Sequence, residues 1–350
     1  MLEQFNITVA QDLIGVGNNL QDHCMVHIDY ACTVSPWLWF HLLIVWTDQL
    51  PGLMTPHTYQ TNKSYDNMSE IQFITSKTGP WAGEPSTALA FPSLPQITNT
   101  TSNIVNAARV ASRYWPSSYD STLRHGYELQ FDYTISRLLS NTTPAYEILN
   151  NNGGGLDVAL MHPLSRGTVG LASADPFAAP LIDPRWLVNP FDTQVLVAAM
   201  QFNQRILNTP SIQQLQPSYD TVPQDASVDV LTAYLIKNLK TEYHYSGTCA
   251  MLPPQLGGVV DPNLLVYGAQ NVRVVDTSVF PIIPSAHLQA VTYAVAEKVS
   301  IDFFCLRSDN ADFAQAADII KGVGTSSAEQ VATPQAIDGF VDWLVHVLHL

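Results

Sequence analysis

An α+β unit, an antiparallel sheet with helices on one face, is the architecture this sequence predicts for its middle, with a partial α/β unit in its last third. Three observations carry the prediction. Between residues 156 and 238, β-like stretches come first and helical periodicity follows, an order that marks α+β rather than alternating βα units. From residue 271 to 304, a short β-branched run, a loop and a long helical pattern succeed one another, the building style of a nucleotide-binding sheet. The hydrophobic fraction of 46% over 350 residues allows a sizeable core.

The elements follow in chain order. Phe5 to Val9 reads as a strand or turn entering a polar loop, Gly15 to His23. Trp37 to Trp46 is the most apolar run, but it falls short of the roughly 20 residues that span a bilayer. It fits a buried strand, a short core helix or a wrongly translated stretch. Residues 51–105 are rich in Pro, Thr, Asn and Ser and read as loops. A short helix is placed near Val110. The alternation Tyr127, Leu129, Phe131, Tyr133 reads as a strand, and Asn151 to Gly155 as a flexible turn. Leu156–Met161 and Thr168–Ala172 are read as strands, and Val195–Leu207 and Val228–Asn238 as helices. Asn271–Asp276 is read as a strand ending in an acid. Ala290–Phe304 is a helix with apolar Val291, Ala294, Val295, Val299 and Phe303. In the tail, Ile337, Phe340, Val341, Leu344 and Leu348 form a helical stripe. No internal repeat is present.

Charge and cysteine content narrow the function classes. The net charge of −15 disfavours nucleic acid and anionic membranes as partners. Four cysteines, Cys24, Cys32, Cys249 and Cys305, form neither a C-x-x-C pair nor a disulfide framework. Five N-x-S/T sequons, at Asn6, Asn62, Asn67, Asn99 and Asn141, favour a secreted or extracellular chain. Residues 1–22 have neither a basic start nor an apolar core, so the targeting segment is expected upstream of Met1.

Several motifs are missing. Gly15-Val16-Gly17 and Gly322-Val323-Gly324 lack the third glycine of G-x-G-x-x-G, and there is no H-E-x-x-H, G-x-S-x-G or P-loop. His23 and His27 are four apart, but their surroundings do not look helical and no metal is expected there.

The last third is richer. It carries Tyr243-His244-Tyr245-Ser246-Gly247-Thr248-Cys249-Ala250-Met251, then Gly258-Val259-Val260-Asp261. Asn271 to Pro281, Pro284-Ser285-Ala286-His287-Leu288-Gln289 and Tyr293 to Lys298 follow. In order and spacing this block resembles the C-terminal signature of glucose–methanol–choline (GMC) oxidoreductases. Residues 15–23 resemble that family's G-V-G-x-N-L-Q-D-H loop, and His162-Pro163-Leu164-Ser165-Arg166-Gly167 a motif of its substrate domain.

The resemblance implies FAD-dependent oxidation of an alcohol. His244 would be the base and His287 would hold the substrate oxygen. Asp276 and Thr277 would meet FAD near its ribityl–pyrophosphate part, and Leu288 and Gln289 would face the flavin's pyrimidine edge. The chemistry agrees: a histidine suits the hydroxyl proton and a flavin suits the hydride. Implied partners are a small alcohol (aryl, sugar or secondary-metabolic) and O2 or a quinone-like acceptor, with no nucleic acid and no membrane span.

The resemblance also divides the chain. Residues 1–23 would be a remnant of an incomplete FAD-binding Rossmann-type domain and 24–243 mainly the substrate domain. Residues 244–305 would form the catalytic loops and the return to the FAD domain, and 306–350 a tail. Without the N-terminal fingerprint these 350 residues are expected to bind FAD weakly or not at all. The rival readings are a truncated or mis-annotated homologue without activity, and a secreted non-catalytic glycoprotein.

Overall fold

The computed structural model describes residues 2–30, 62–82, 88–110, 114–150, 155–214, 216–219 and 221–305. The Trp37–Trp46 run, most of the Asn151–Gly155 turn and the tail stripe at Ile337 lie outside them. Its centre is an antiparallel sheet of five strands. These are β1 (Cys24–Val26), β2 (Ala88–Ala90), β3 (Tyr146–Asn150), β4 (Leu156–Leu160) and, after a separate two-stranded ribbon, β7 (Lys240–Thr241). Their spatial order is β2-β3-β4-β1-β7. The ribbon pairs β5 (Thr168–Gly170) with β6 (Leu181–Asp183). The expected antiparallel sheet with helices against it is therefore present.

Six helices longer than one turn are described: α1 (Lys63–Ser76), α2 (Thr101–Val110), α3 (Ser121–Leu138), α4 (Pro190–Leu207), α5 (Val228–Asn238) and α6 (Leu288–Cys305). The helices read at 195–207 and 228–238 are α4 and α5. Asn189 caps α4 by accepting from Phe191 N at 3.0 Å, and Pro190 opens it. Ser227 caps α5 by accepting from Val230 N at 3.4 Å. α4 packs on β3 and β4 with Val195, Leu196, Ala199 and Met200 buried. Together with Cys24, Val26, Tyr146, Ile148, Val158 and Leu160 from the sheet, these residues build the main core.

Several readings are corrected. Tyr127–Tyr133 is helical, inside α3. The alternation was coincidental, because the buried residues Leu123, Tyr127, Gln130, Phe131, Thr134, Ile135 and Leu138 follow the helical period, while Leu129 is exposed. Asp120 starts the helix by accepting from Leu123 N at 2.9 Å. The stretch read as loops contains α1 and the start of α2, and α2 is the short helix read near Val110; Asn62 caps α1 by accepting from Tyr65 N. Leu2–Phe5 forms a 3-10 turn, with no strand at Phe5–Val9.

Asn271–Asp276 is not a strand either. Its β-branched residues meet only the short segment Leu264–Val266, through two backbone hydrogen bonds and one bridge between Leu265 and Arg273. A ladder needs a full partner strand. No helix among the described residues is long and apolar enough to cross a membrane.

A histidine–carboxylate cluster as candidate active site

The sheet register puts the chemistry on one face. Glu147 pairs with Ala159, Ala159 with Met25, and Met25 with Lys240, so these four form one row across β3, β4, β1 and β7. Side chains alternate along a strand, so His23, two before Met25, and Glu242, two after Lys240, share the row's face. A bond from Glu242 N to His23 O, 3.0 Å, continues the ladder to them. The opposite face is the main core. This face instead holds a small cluster of Met25, Ala159 and Met161, and beside it the polar side chains.

Two loops then lay His244 and His287 over this face. The loop motifs identified in the sequence hold each other. Gln21 exchanges backbone hydrogen bonds with Ser246 at 2.9 Å each way. Asn19 Nδ2 donates to Pro281 O at 3.0 Å, and Gln21 Nε2 to the same oxygen at 2.9 Å. Gln21 Oε1 accepts from Ile283 N. The buried Arg166 guanidinium donates to Asn19 Oδ1 at 2.8 Å and to Pro163 O at 2.7 Å. Residues 15–23 thus staple together the His162–Gly167 segment, the His244 loop and the Pro281–His287 loop. Gly247 is required at its position: its φ is +93°, and a Cβ would lie 2.4 Å from Asn19 O.

The result is a cluster of three imidazoles and three carboxyl groups. The rings of His244 and His287 have centroids 5.6 Å apart. His244 Nδ1 lies 3.0 Å from His23 Nδ1 and 3.4 Å from Glu242 Oε2, and its backbone N donates to Asp22 Oδ1 at 3.1 Å. His287 Nε2 meets Glu147 Oε1 at 2.8 Å and lies 3.7 Å from Glu242 Oε1. Burial grades across the cluster. The side chains of His23 and Glu147 are fully covered and Glu242 is 8% exposed, while His244 and His287 reach 15% and 47%. The two predicted histidines are therefore the open edge of a closed network.

Burial tunes the network. It is the main cause pushing the Glu147 carboxyl up to about 7; the negative charge of Glu242 adds to the effect and His287 opposes it. It also pushes Asp22 up to about 6, against hydrogen bonds from Thr241 and the His244 backbone. His23 is held well below the usual imidazole range by burial and then by His244's charge. Both oxygens of Glu242, Asp22 Oδ2, Glu147 Oε2 and His23 Nε2 are buried without a hydrogen-bond partner among the described residues.

The four residues assigned to cofactor contact lie around this edge. Asp276 is exposed; its Oδ1 accepts from Ser278 N at 2.8 Å as the cap of a 3-10 turn. Thr277 Oγ1 donates to Tyr245 O at 2.7 Å, tying that turn to the His244 loop. Leu288 opens α6 and is buried, and Gln289 beside it is exposed. Glu147 and Glu242 were not singled out by the sequence, Asp22 and His23 appeared only as the end of the 15–23 loop motif, and His23 also through its spacing to His27. A lone carboxyl in the apolar strand Tyr146–Asn150 was the available signal for Glu147.

A separate cavity of about 280 Å³ shares Ser285 with the His287 loop. Thr134, Arg137, His162 and Ile283 also line it, but none of the six clustered side chains does. Burial holds the His162 imidazole down at about 4, so it is neutral at ordinary pH.

Known proteins share this arrangement of sequence and fold. A family model described as GMC oxidoreductase matches residues 163–296. The GMC oxidoreductase family protein Mala s 12 of Malassezia sympodialis is 30% identical over 304 residues, which cover 85% of this chain and 44% of that protein. An FAD-dependent oxidoreductase from Chaetomium thermophilum superimposes with a TM-score of 0.75 at 28% identity, over 85% of this chain and 50% of that one. A fungal aryl-alcohol oxidase superimposes at 0.72 with 31% identity, over 85% and 49%. The chain spans about half the length of the curated relatives it matches. Its motifs, its sheet and these likenesses agree: the chain belongs to the glucose–methanol–choline oxidoreductase family, whose C-terminal portion it carries.

Proposed function

We propose that this chain serves the FAD-dependent oxidation of an alcohol, with His244 receiving the hydroxyl proton. The carrying observation is the pair of imidazoles 5.6 Å apart at the open edge of the cluster, each with one nitrogen facing a buried carboxylate. In His244 the Nδ1 side is occupied by His23 and Glu242, while Nε2 makes no hydrogen bond among the described residues. With the proton on Nδ1, the Nε2 lone pair is free to accept a second one. Glu242 then stands 3.4 Å from the imidazolium that forms and stabilises it. His287 is oriented by Glu147, and its other ring nitrogen is left to hold the substrate oxygen.

The residues fit a flavin. α6 begins at Leu288, directly after His287, and its first backbone N–H groups form a positive helix end. Tyr245, Val275 and Tyr293 are exposed apolar surface on the segments that join there, suited to a flat ring system. When bound, FAD supplies the hydride acceptor. The helix end would stabilise negative charge on a bound flavin, and O2 or a quinone-like compound is the electron acceptor this reading implies.

Likeness to an aryl-alcohol oxidase makes an aryl carbinol the first substrate to test. All five sequon asparagines are exposed, which supports a secreted glycoprotein. Anaerobic mixing of the flavin-loaded full-length enzyme with aryl, aliphatic and sugar alcohols is the test. Bleaching of the flavin absorbance by at least one is expected. If none bleaches it, the reading fails.

A further inference from the structure

We propose that His23, His244 and Glu242 form a site for one divalent late transition-metal ion of the Zn2+ class. The donor atoms are His23 Nδ1, His244 Nδ1 and Glu242 Oε2, separated by 3.0, 3.4 and 3.7 Å. A tetrahedral ion with bonds of about 2.0–2.1 Å needs donors about 3.3 Å apart. Each observed separation is within about 0.4 Å of that edge, so side-chain adjustments alone bring the three to one ion.

An independent feature points to a ligand. Glu242 is more than nine-tenths buried and neither of its oxygens has a hydrogen-bond partner among the described residues. A buried carboxylate with imidazoles 3.4–3.7 Å away but no hydrogen bond is costly, and a cation between His23 and His244 satisfies it. Asp22 surrounds the site with further negative potential, since it accepts from the His244 backbone.

The donor set selects the ion. Two imidazole nitrogens and one carboxylate oxygen suit Zn2+, Ni2+ or Cu2+, whereas Mg2+ and Ca2+ require mostly oxygen. Three protein ligands leave the fourth position to water. Spacing in the sequence drew attention to His23 with His27. The fold turns His27 to Asp157, 2.6 Å away, and brings His23 to His244 instead. A second triad, Glu147, Glu242 and His287, competes for the same Glu242 but is more open.

Occupancy has a chemical consequence, which rests on the proposed function. An imidazole bound through Nδ1 carries its remaining proton on Nε2. His244 then has no lone pair for a substrate proton, so the ion is a reversible off-switch.

Binding is tested on the 350-residue chain after chelator treatment, by titration with Co2+ and then competition with Zn2+. The expected result is one saturable Co2+ per chain with the visible bands of a four-coordinate ion, displaced by one Zn2+. His23→Ala and the isosteric Glu242→Gln should each weaken binding at least tenfold with unchanged circular dichroism, and His287→Ala should leave it intact. No saturable binding, or binding lost in His287→Ala and kept in His23→Ala, overturns the site. These readouts do not involve turnover, so a failed metal site leaves alcohol oxidation standing, and absent alcohol oxidation leaves the metal site standing.

Discussion

Glu147→Gln should flatten the fall of stability with rising pH in a measurable window. In the folded chain the carboxyl is pushed up to about 7 from an ordinary 4.5, chiefly by burial. Below about pH 4.5 it is protonated in both folded and unfolded chains and has no pH-dependent effect. Between 4.5 and about 7 the unfolded chain releases the proton while the folded chain keeps it. The folded state then binds more protons, so stability falls as pH rises, and the loss is complete above about 7. At about 1.4 kcal/mol per tenfold in proton affinity, the full loss is about 3 kcal/mol.

Glutamine has the same size and cannot ionise. It exchanges the charge-assisted bond to His287 for a neutral amide bond, at a cost of about 1 kcal/mol. The variant should therefore be about 1 kcal/mol less stable at pH 4.5 and about 2 kcal/mol more stable at pH 8. Urea unfolding of both proteins across that range is the assay. Asp22, pushed up to about 6, gives a slope of the same sign in both, so it cancels in the difference. A constant gap between the two curves would refute the reasoning.

Other perturbations probe the scaffold. Arg166→Met removes a buried guanidinium that donates to Asn19, Pro163 and Ser165 and lies over the Tyr127 ring. A loss of about 3–5 kcal/mol in the urea unfolding free energy is expected, because the acceptors are left unpaired. Gly247→Ala places a side chain at φ +93° against Asn19 O. The backbone conformation alone should cost about 1–2 kcal/mol, and the shifted His244 loop should lower turnover as well as the unfolding midpoint. Expressed through a secretory pathway, the protein should lose mass on enzymatic removal of N-glycans, with sites among Asn6, Asn62, Asn67, Asn99 and Asn141. An unchanged mass would argue against secretion.

The readable parts of this sequence were those with a local cause. α4 and α5 combine a helical period with a Pro or a Ser cap at the start, both visible in the chain. Tyr127–Tyr133 has two overlapping periods, and only the Asp120 cap and the tertiary contacts choose the helical one. Asn271–Asp276 has strand-forming residues, but pairing depends on a neighbour that local sequence does not specify. At the site, His244 and His287 stood out because their loops carry distinctive Gly, Pro and Ser patterns. Glu147 and Glu242 come together through the register of four strands, and Glu147 lies 140 residues before the His287 it meets. That register is a long-range property. It also explains why His23, paired by eye with His27, stands instead against His244.

In the proposed reaction the His244 imidazole takes the alcohol's proton as the flavin is reduced. Anaerobic stopped-flow of the flavin-loaded full-length enzyme carrying His244→Ala, with the best aryl alcohol, measures this step. Flavin reduction should slow by about 10²–10⁴ with flavin still bound. Reduction at the unsubstituted rate would contradict it.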